Sequence, residues 1–184
     1  GVQTLTDFRA GVDTDTATWI YADGADAKVN VGNSTVITGT SALSATTWHH
    51  IALTRSGTDT KLFVDGVQVG STYTDSNDYG NTKPIYIGAE HDAGGALDGN
   101  IDDLRVIKGT AVYTAGFTPT NLPLPVTSET VLMARFDGDN ASTVFEDDVV
   151  LAQDIRFSGG ATATGITLAD YTDFGAEIRS IASA

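Results

Sequence analysis

The sequence contains no cysteine, which excludes disulfide bridges and zinc–thiolate sites. Glutamate is scarce too: the 24 acidic residues include only Glu90, Glu129, Glu146 and Glu177, and the rest are Asp. Lys and Arg total 10, so the formal net charge is −14. Such a chain repels phosphate backbones, and we expect no nucleic acid partner. No apolar run approaches the roughly 20 residues of a membrane span, so no membrane insertion is expected.

Long apolar stripes with the period of a helix are also missing. Instead, short segments alternate between apolar and polar residues between clusters of turn formers, which is typical of antiparallel β structure. The pattern predicts an all-β protein folded as a two-sheet antiparallel sandwich or jelly roll. The expected strands cover residues 3–9, 18–22, 27–31, 35–38, 49–55, 61–64, 67–71, 85–88, 100–107, 131–136, 149–157 and 165–168.

The clearest local signal is a β-hairpin whose turn is Asp65-Gly66, a dipeptide that tolerates the positive φ angles of a type I′ turn. We therefore expect Asp65 to be a turn residue rather than a functional one. In the preceding strand, alternation places Trp48 and His50 on one face and His49 on the other, so the two histidines cannot bind one metal. Trp48 and His50 form either a stacking platform or a packed corner of the sheet, and we favour packing.

Patterns that support catalysis are absent. A glycosidase needs two carboxylates facing each other across a cleft, and the E-x-D-x-x-E strand motif of β-sandwich glycosidases is missing from this Glu-poor chain. The nearest candidates, Asp102 and Asp103, are adjacent and alternate across a strand. No G-x-S-x-G motif, Ser–His–Asp placement, phosphate loop or dinucleotide pattern is visible. We expect no enzymatic activity.

Two acidic loops are candidate calcium sites. One holds Asp92 and Asp98, and the other holds Asp137 and Asp139. Carboxylates are ligands for hard cations, but the full D-x-D-x-D-G…E pattern of a calcium loop is missing, and surface turns collect Asp in any case. We expect no required cofactor and keep calcium at these loops as a hypothesis.

A proline-rich segment, "FTPTNLPLP" at residues 117–125, carries three of the four prolines and cannot run as a central strand. It predicts a boundary near Thr127, with a sandwich domain over residues 1–127. Residues 128–184 then form a β-rich C-terminal segment or tail, which either completes the sandwich or docks on a neighbour. The stretch "LADYTDFGAEIRSIASA" at its end is expected to be a short helix or a packing tail.

Four fragments, taken in order, resemble laminin-G-like, concanavalin A-like jelly-roll domains, in particular those of marine bacteriophage tail and virion proteins. The fragments are "TTWHHIALTRSG", "KLFVDGVQVGSTY", "PIYIGA" and "LDGNIDDLRVIKGTAVYTAGFTPTNLPLP", and they span about residues 3–125. The resemblance implies a sandwich whose structural signature is Trp48, His50, Asp65, Gly66, Asp102 and Asp103. It also implies that Asp102 or Asp103 makes hydrogen bonds that hold the following "GTAVYT" corner.

The chain departs from this family at its start. Family members have strands before the part that corresponds to Gln3, whereas a segment resembling their opening strand lies here at residues 131–148. Three explanations stay open: the chain is a fragment, its C-terminal segment completes the sandwich in a permuted arrangement, or a neighbouring subunit supplies the strands. Since open sheet edges aggregate, we favour a fragment or a larger assembly.

The resemblance implies a non-enzymatic structural or adhesion module of a phage virion, such as a tail fibre, knob or head decoration. It would be a homo-oligomer that lies outside the cell and binds glycans or other virion proteins. The alternative is the carbohydrate-binding module of a secreted bacterial polysaccharide-degrading protein, and a third option is a hydrolase with an atypical site. Sugars stack on exposed aromatic rings, and our candidate glycan contacts are Tyr73, Tyr79 and His91.

Overall fold

The computed structural model describes residues 1–10, 16–79 and 84–137, and the backbone of residues 174–182. Within these residues the chain is all β, as predicted, and no helix is long and apolar enough to cross a membrane. The strands are β1 (Val2–Asp7), β2 (Thr18–Asp23), β3 (Asp26–Val31), β4 (Ser34–Gly39), β5 (His50–Ser56), β6 (Asp59–Val64), β7 (Val67–Thr74), β8 (Tyr86–Ile87), β9 (Asn100–Lys108), β10 (Thr130–Ala134) and β11 (Phe174–Ala182).

The strands form two antiparallel sheets in a sandwich-like arrangement. The first sheet has the order β4-β3-β2-β1-β8, and the second has the order β10-β9-β11-β5-β6-β7. Alternate residues of a strand face opposite sides of its sheet, and β5 points Ile51 and Leu53 into the core between the sheets while Ala52 and Thr54 face outward. Burying each such Leu or Ile side chain stabilises the fold by about 1.5–3 kcal/mol.

The outer face of the second sheet is covered by the chain that follows β9. The Thr54 hydroxyl donates to the Tyr113 carbonyl oxygen at 2.8 Å, which ties this segment to β5. The rings of Tyr113 and Phe117 stack with centroids 3.5 Å apart, and the His50 ring meets Phe117 edge-on at 5.2 Å. His50 is thereby buried on the outer face of the sheet.

Asp103 anchors the proline-rich segment. Its Oδ2 accepts the Leu124 N–H at 3.3 Å, and its Oδ1 lies 3.3 Å from the guanidinium of Arg135. The "GTAVYT" corner, which we expected Asp102 or Asp103 to hold, receives hydrogen bonds from Thr54 and from Lys61 on β6. Asp103 thus fastens the proline-rich segment to β9.

Both described strands after residue 127 belong to the second sheet. β10 pairs with β9, and β11 lies between β9 and β5, with Glu177 opposite both Ala52 and Arg105. Strands from both sides of the expected boundary therefore share one sheet. The helix alternative for the C-terminal end was wrong, because residues 174–182 form a strand and sheet pairing overrides the local helix preference of residues such as Ala, Glu and Arg. The strands expected at 149–157 and 165–168 lie outside the described residues.

The turn between β6 and β7 has the backbone that the sequence predicted. Asp65 and Gly66 have φ angles of 51° and 78°, and Val64 pairs with Val67 across the turn. The Phe117 N–H donates to the Gly66 carbonyl at 2.9 Å, so the backbones pass very close together. A Cβ at residue 66 would lie 1.9 Å from the Phe117 carbonyl oxygen. Gly66 is required both for the turn and for this approach.

Replacing Gly66 by Ala is therefore expected to destabilise the protein by about 3 kcal/mol, of which roughly 1–2 kcal/mol is the left-handed backbone and the rest is the clash. Gly57→Ala is the matched control, because its φ of 60° is similar but a Cβ there would meet nothing within 4 Å. Urea unfolding followed by circular dichroism measures both variants. Equal losses of stability would contradict the close approach of Phe117.

Candidate ligand-binding cleft

A cleft of about 290 Å³ opens at the end of the sandwich that carries the β2–β3 turn. Its walls come from β1, from that turn and from the loop between β4 and β5. Small-molecule sites usually measure about 300–1,000 Å³, so this cleft suits one ring-sized group rather than a long chain. The lining residues are Gln3, Ala22, Gly24, Ala25, Leu43, Ser44, Ala45 and His49.

The loop between β4 and β5, residues 40–49, is tied to the opposite wall of the cleft. The Leu43 N–H donates to the Ala25 carbonyl and the Ser41 N–H donates to the Asp26 carboxylate, both at 2.9 Å. Ser41 and Thr46 have φ angles of 53° and 59°, a conformation that costs energy for residues other than glycine. These hydrogen bonds offset that cost and give the loop a defined shape.

The ring of His49 fixes the other side of this loop. Its Nδ1 lies 2.7 Å from Asp65 Oδ2, and its Nε2 accepts the Ser44 N–H at 2.9 Å. Because a carboxylate only accepts, a neutral His49 ring carries its proton on Nδ1 and donates it to Asp65. The other carboxylate oxygen accepts the His50 N–H at 2.9 Å. We call Ser44, His49 and Asp65 the His49 clamp.

The His49 clamp has the order of a Ser–His–Asp triad, which the sequence analysis did not foresee. The Ser44 Oγ lies 3.0 Å from His49 Nε2. A general base, however, must offer its lone pair to the hydroxyl proton of the nucleophile, and here the Ser44 backbone N–H already points at that lone pair. The arrangement therefore holds the loop, and Asp65 is more than a turn residue.

Trp48 lies in the same loop and is 53% exposed. The prediction that it packs against the sheet was wrong, because β5 begins only at His50 and strand alternation does not extend to residue 48. The second tryptophan, Trp19, is 9% exposed and stacks on Tyr21 with ring centroids 4.1 Å apart. Trp48 is thus the tryptophan that can present a ring to a ligand.

A comparison of the sequence with known families assigns this domain to a family. Residues 3–112, more than half of the chain, match the laminin-G model of the concanavalin A-like lectin/glucanases superfamily. The chain belongs to this superfamily. The predicted laminin-G-like jelly roll is confirmed by the match, which carries no information about a phage origin. No curated protein and no solved structure matches the chain.

In this concanavalin A-like domain Tyr79 does not offer an exposed ring, contrary to our expectation. It is 8% exposed, and its hydroxyl donates to the fully buried carboxylate of Asp75. Burial and this hydrogen bond raise the pKa of Tyr79 well above its ordinary value. The guanidinium of Arg55 lies 3.8 Å from Asp75 and 5.6 Å from the centre of the Tyr79 ring. Tyr79 thus forms a buried polar cluster with Asp75 and Arg55.

The other two candidate glycan contacts of the domain, Tyr73 and His91, also pack against the protein. The His91 side chain is 7% exposed, and its Nδ1 lies 3.2 Å from the buried Asp7 carboxylate. Arg9 joins Asp7 to Glu90 through ion pairs of 2.8 and 3.0 Å, which fastens the loop of His91 to β1. Tyr73 on β7 is half-buried and packs against the core. The sequence could not reveal that these loops fold back onto the sheets.

The acidic loops of the domain are the candidate calcium sites. Asp92 is exposed, and its Oδ1 accepts the Gly94 N–H at 2.9 Å, a bond that lowers the pKa of Asp92. Asp98 is exposed too. Among the described residues no three His, Asp or Glu side chains form a group that could hold a metal ion. Asp139 lies outside the described residues. Calcium at either acidic loop stays a prediction.

Replacing Tyr79 by Phe is expected to cost about 1–2 kcal/mol at pH 8, because Asp75 loses a buried donor. Tyrosines of the unfolded chain ionise near pH 10, whereas folded Tyr79 resists ionisation because its pKa is raised. The stability from Tyr79 is therefore complete below about pH 10 and is lost as the pH rises further. Urea unfolding at pH 8 and pH 11 should show the wild-type advantage shrinking. Tyr73→Phe is the control, and an advantage independent of pH would contradict the buried bond.

Proposed function

We propose that this domain is a non-enzymatic adhesion module that binds a glycan at the cleft. The observation that carries the proposal is the exposed Trp48 in the same loop that lines the cleft. Sugar rings stack on aromatic faces, and their hydroxyl groups form hydrogen bonds around the edge. Membership of a superfamily described by lectins and glucanases supports the same class of ligand.

The cleft also offers the hydrogen-bonding groups that a sugar needs. Ser44 is exposed at the wall, and Gln3 contributes an amide. Gly24 and Ala25 have little or no side chain, so a ligand can approach the backbone there. The proposal requires no cofactor, and calcium enters it only as an ion that the acidic loops bind in addition.

Replacing Trp48 by Ala is expected to weaken glycan binding at least about tenfold, since an aromatic contact contributes about 0.5–1.5 kcal/mol beyond the apolar area that it buries. Trp48→Phe keeps a ring and should retain most of the affinity. A glycan array measured with and without calcium identifies the ligand and tests the ion at the same time. Absence of binding in both conditions would contradict glycan recognition and leave an assembly role.

The proposal contains no catalytic step, and the occupied Nε2 of His49 supports that part of it. A fluorophosphonate probe, which reacts with activated serines, should label the wild-type protein no more than Ser44→Ala. Mass spectrometry of the peptide containing residue 44 measures the reaction. Labelling that disappears in Ser44→Ala would show an activated nucleophile and overturn the non-enzymatic proposal.

We further propose that the module acts on a phage virion, as part of a tail fibre, knob or head decoration. Copies of the chain would assemble with one another and with other virion subunits, and the module would face the outside of the cell. The support is the likeness of residues 3–125 to phage virion domains. The alternative is a carbohydrate-binding module of a secreted polysaccharide-degrading protein. Neighbouring tail genes would favour the first role, and an adjacent catalytic domain would favour the second.

A further inference from the structure

We propose that Asp65 is the positioning residue of the loop that carries Trp48, because it holds His49 in the tautomer that this loop requires. Asp65 lies in the β6–β7 turn, outside the loop, and lines no part of the cleft. Its effect on the ligand would pass through His49 alone. We call this hold of Asp65 on the His49 tautomer the lock. The consequence for glycan binding rests on the proposed function, whereas the lock itself does not.

Asp65 can position another residue because two hydrogen bonds to β5 fix Asp65 itself. Its backbone N–H donates to the His50 carbonyl at 2.8 Å, and its Oδ1 accepts the His50 N–H at 2.9 Å. These two bonds fasten the turn to the first residue of β5. The remaining oxygen, Oδ2, is left to face His49 Nδ1 at 2.7 Å.

The tautomer of His49 follows from this contact. A carboxylate facing Nδ1 requires the ring proton to sit there, which leaves Nε2 as an acceptor. The Ser44 N–H uses that acceptor at 2.9 Å. If the ring carried its proton on Nε2, the bond from the Ser44 N–H would be lost, and Nε2 could only donate, to the Ser44 hydroxyl at 3.0 Å or to the Ser44 carbonyl at 3.3 Å. Asp65 therefore selects the form of His49 that accepts the Ser44 N–H.

The bond between Ser44 and His49 closes the short span that contains Trp48. Within this span Thr46 has a φ angle of 59°, and the Thr47 hydroxyl donates to the Ala45 carbonyl at 3.3 Å. A left-handed residue of this kind persists only where surrounding contacts impose it. Release of Ser44 would let Thr46 relax and would turn Trp48 away from its position.

Asp65→Asn tests the lock with little risk to the hairpin. Asparagine has the same size and is favoured at the positive φ of a type I′ turn. Its Oδ1 can keep the His50 N–H, so that its NH₂ group faces Nδ1 and drives the His49 proton to Nε2. The matched control is Asp59→Asn, which removes the same charge from the opposite end of β6.

Three measurements on these variants test the hold of Asp65 on His49. Nitrogen-15 NMR of the histidine rings at pH 8, where an ordinary histidine is neutral, should show His49 protonated on Nδ1 in the wild type and in Asp59→Asn, and on Nε2 in Asp65→Asn. Acrylamide quenching of Trp48 should rise in Asp65→Asn toward that of a free tryptophan, with buried Trp19 contributing little. Affinity for the glycan found by array should fall about tenfold, the effect of one lost hydrogen bond to a charged group.

Trp48→Ala separates the lock from the ligand contact, because it should lose binding while the His49 ring keeps its proton on Nδ1. The proposal is overturned if Asp65→Asn leaves the His49 proton on Nδ1. It is overturned equally if the proton moves and Trp48 quenching stays at the wild-type value. Should the wild type bind no glycan, the proposed function fails, and the NMR and quenching results still decide on the lock.

Discussion

The two-residue turn at Asp65-Gly66 is the constraint on which the rest of the molecule depends. On one side its aspartate binds His49 and so defines the wall of the cleft. On the other side the Gly66 carbonyl accepts the Phe117 N–H and so holds the segment that covers the second sheet. One contact uses a side-chain carboxylate, among the strongest acceptors in proteins, and the other uses a backbone carbonyl, so one short turn fixes two distant pieces of chain.

A second constraint is the scarcity of basic residues in a chain of net charge −14. Arg9, Arg55 and Arg135 are each placed against a buried aspartate, at Asp7, Asp75 and Asp103 respectively. A buried carboxylate is tolerated only when it is paired and hydrogen-bonded, so these clusters fasten their loops firmly to the sheets. The arginines Arg9 and Arg55 also lie over the buried rings of Trp19 and Tyr79, whereas the ring of Trp48 stays exposed.

The strands were predictable from the sequence because alternation reports directly on which face of a strand is buried. Alternation does not report burial outside a strand, and Trp48 precedes β5. The residues of β11 have local preferences for helix that pairing in the sheet overrides. The His49 clamp depends on contacts created by the hairpin, and no local pattern reveals them. A usable signal did exist, since adjacent histidines on opposite faces precede a hairpin whose tip is an aspartate. The burial of Tyr79 and His91 had no such signal.

The position of β11 orders the events of folding. The strands on either side of it, β5 and β9, come from much earlier in the chain, and they have no described hydrogen bonds to each other. Until residues 174–182 arrive, both strands therefore expose unpaired edges in the middle of the second sheet. These residues are synthesised after β5 and β9, so we expect the middle of the second sheet to be completed late, since contacts over such long separations form slowly. A neighbouring copy that offered the same strand first would produce an exchanged pair of chains.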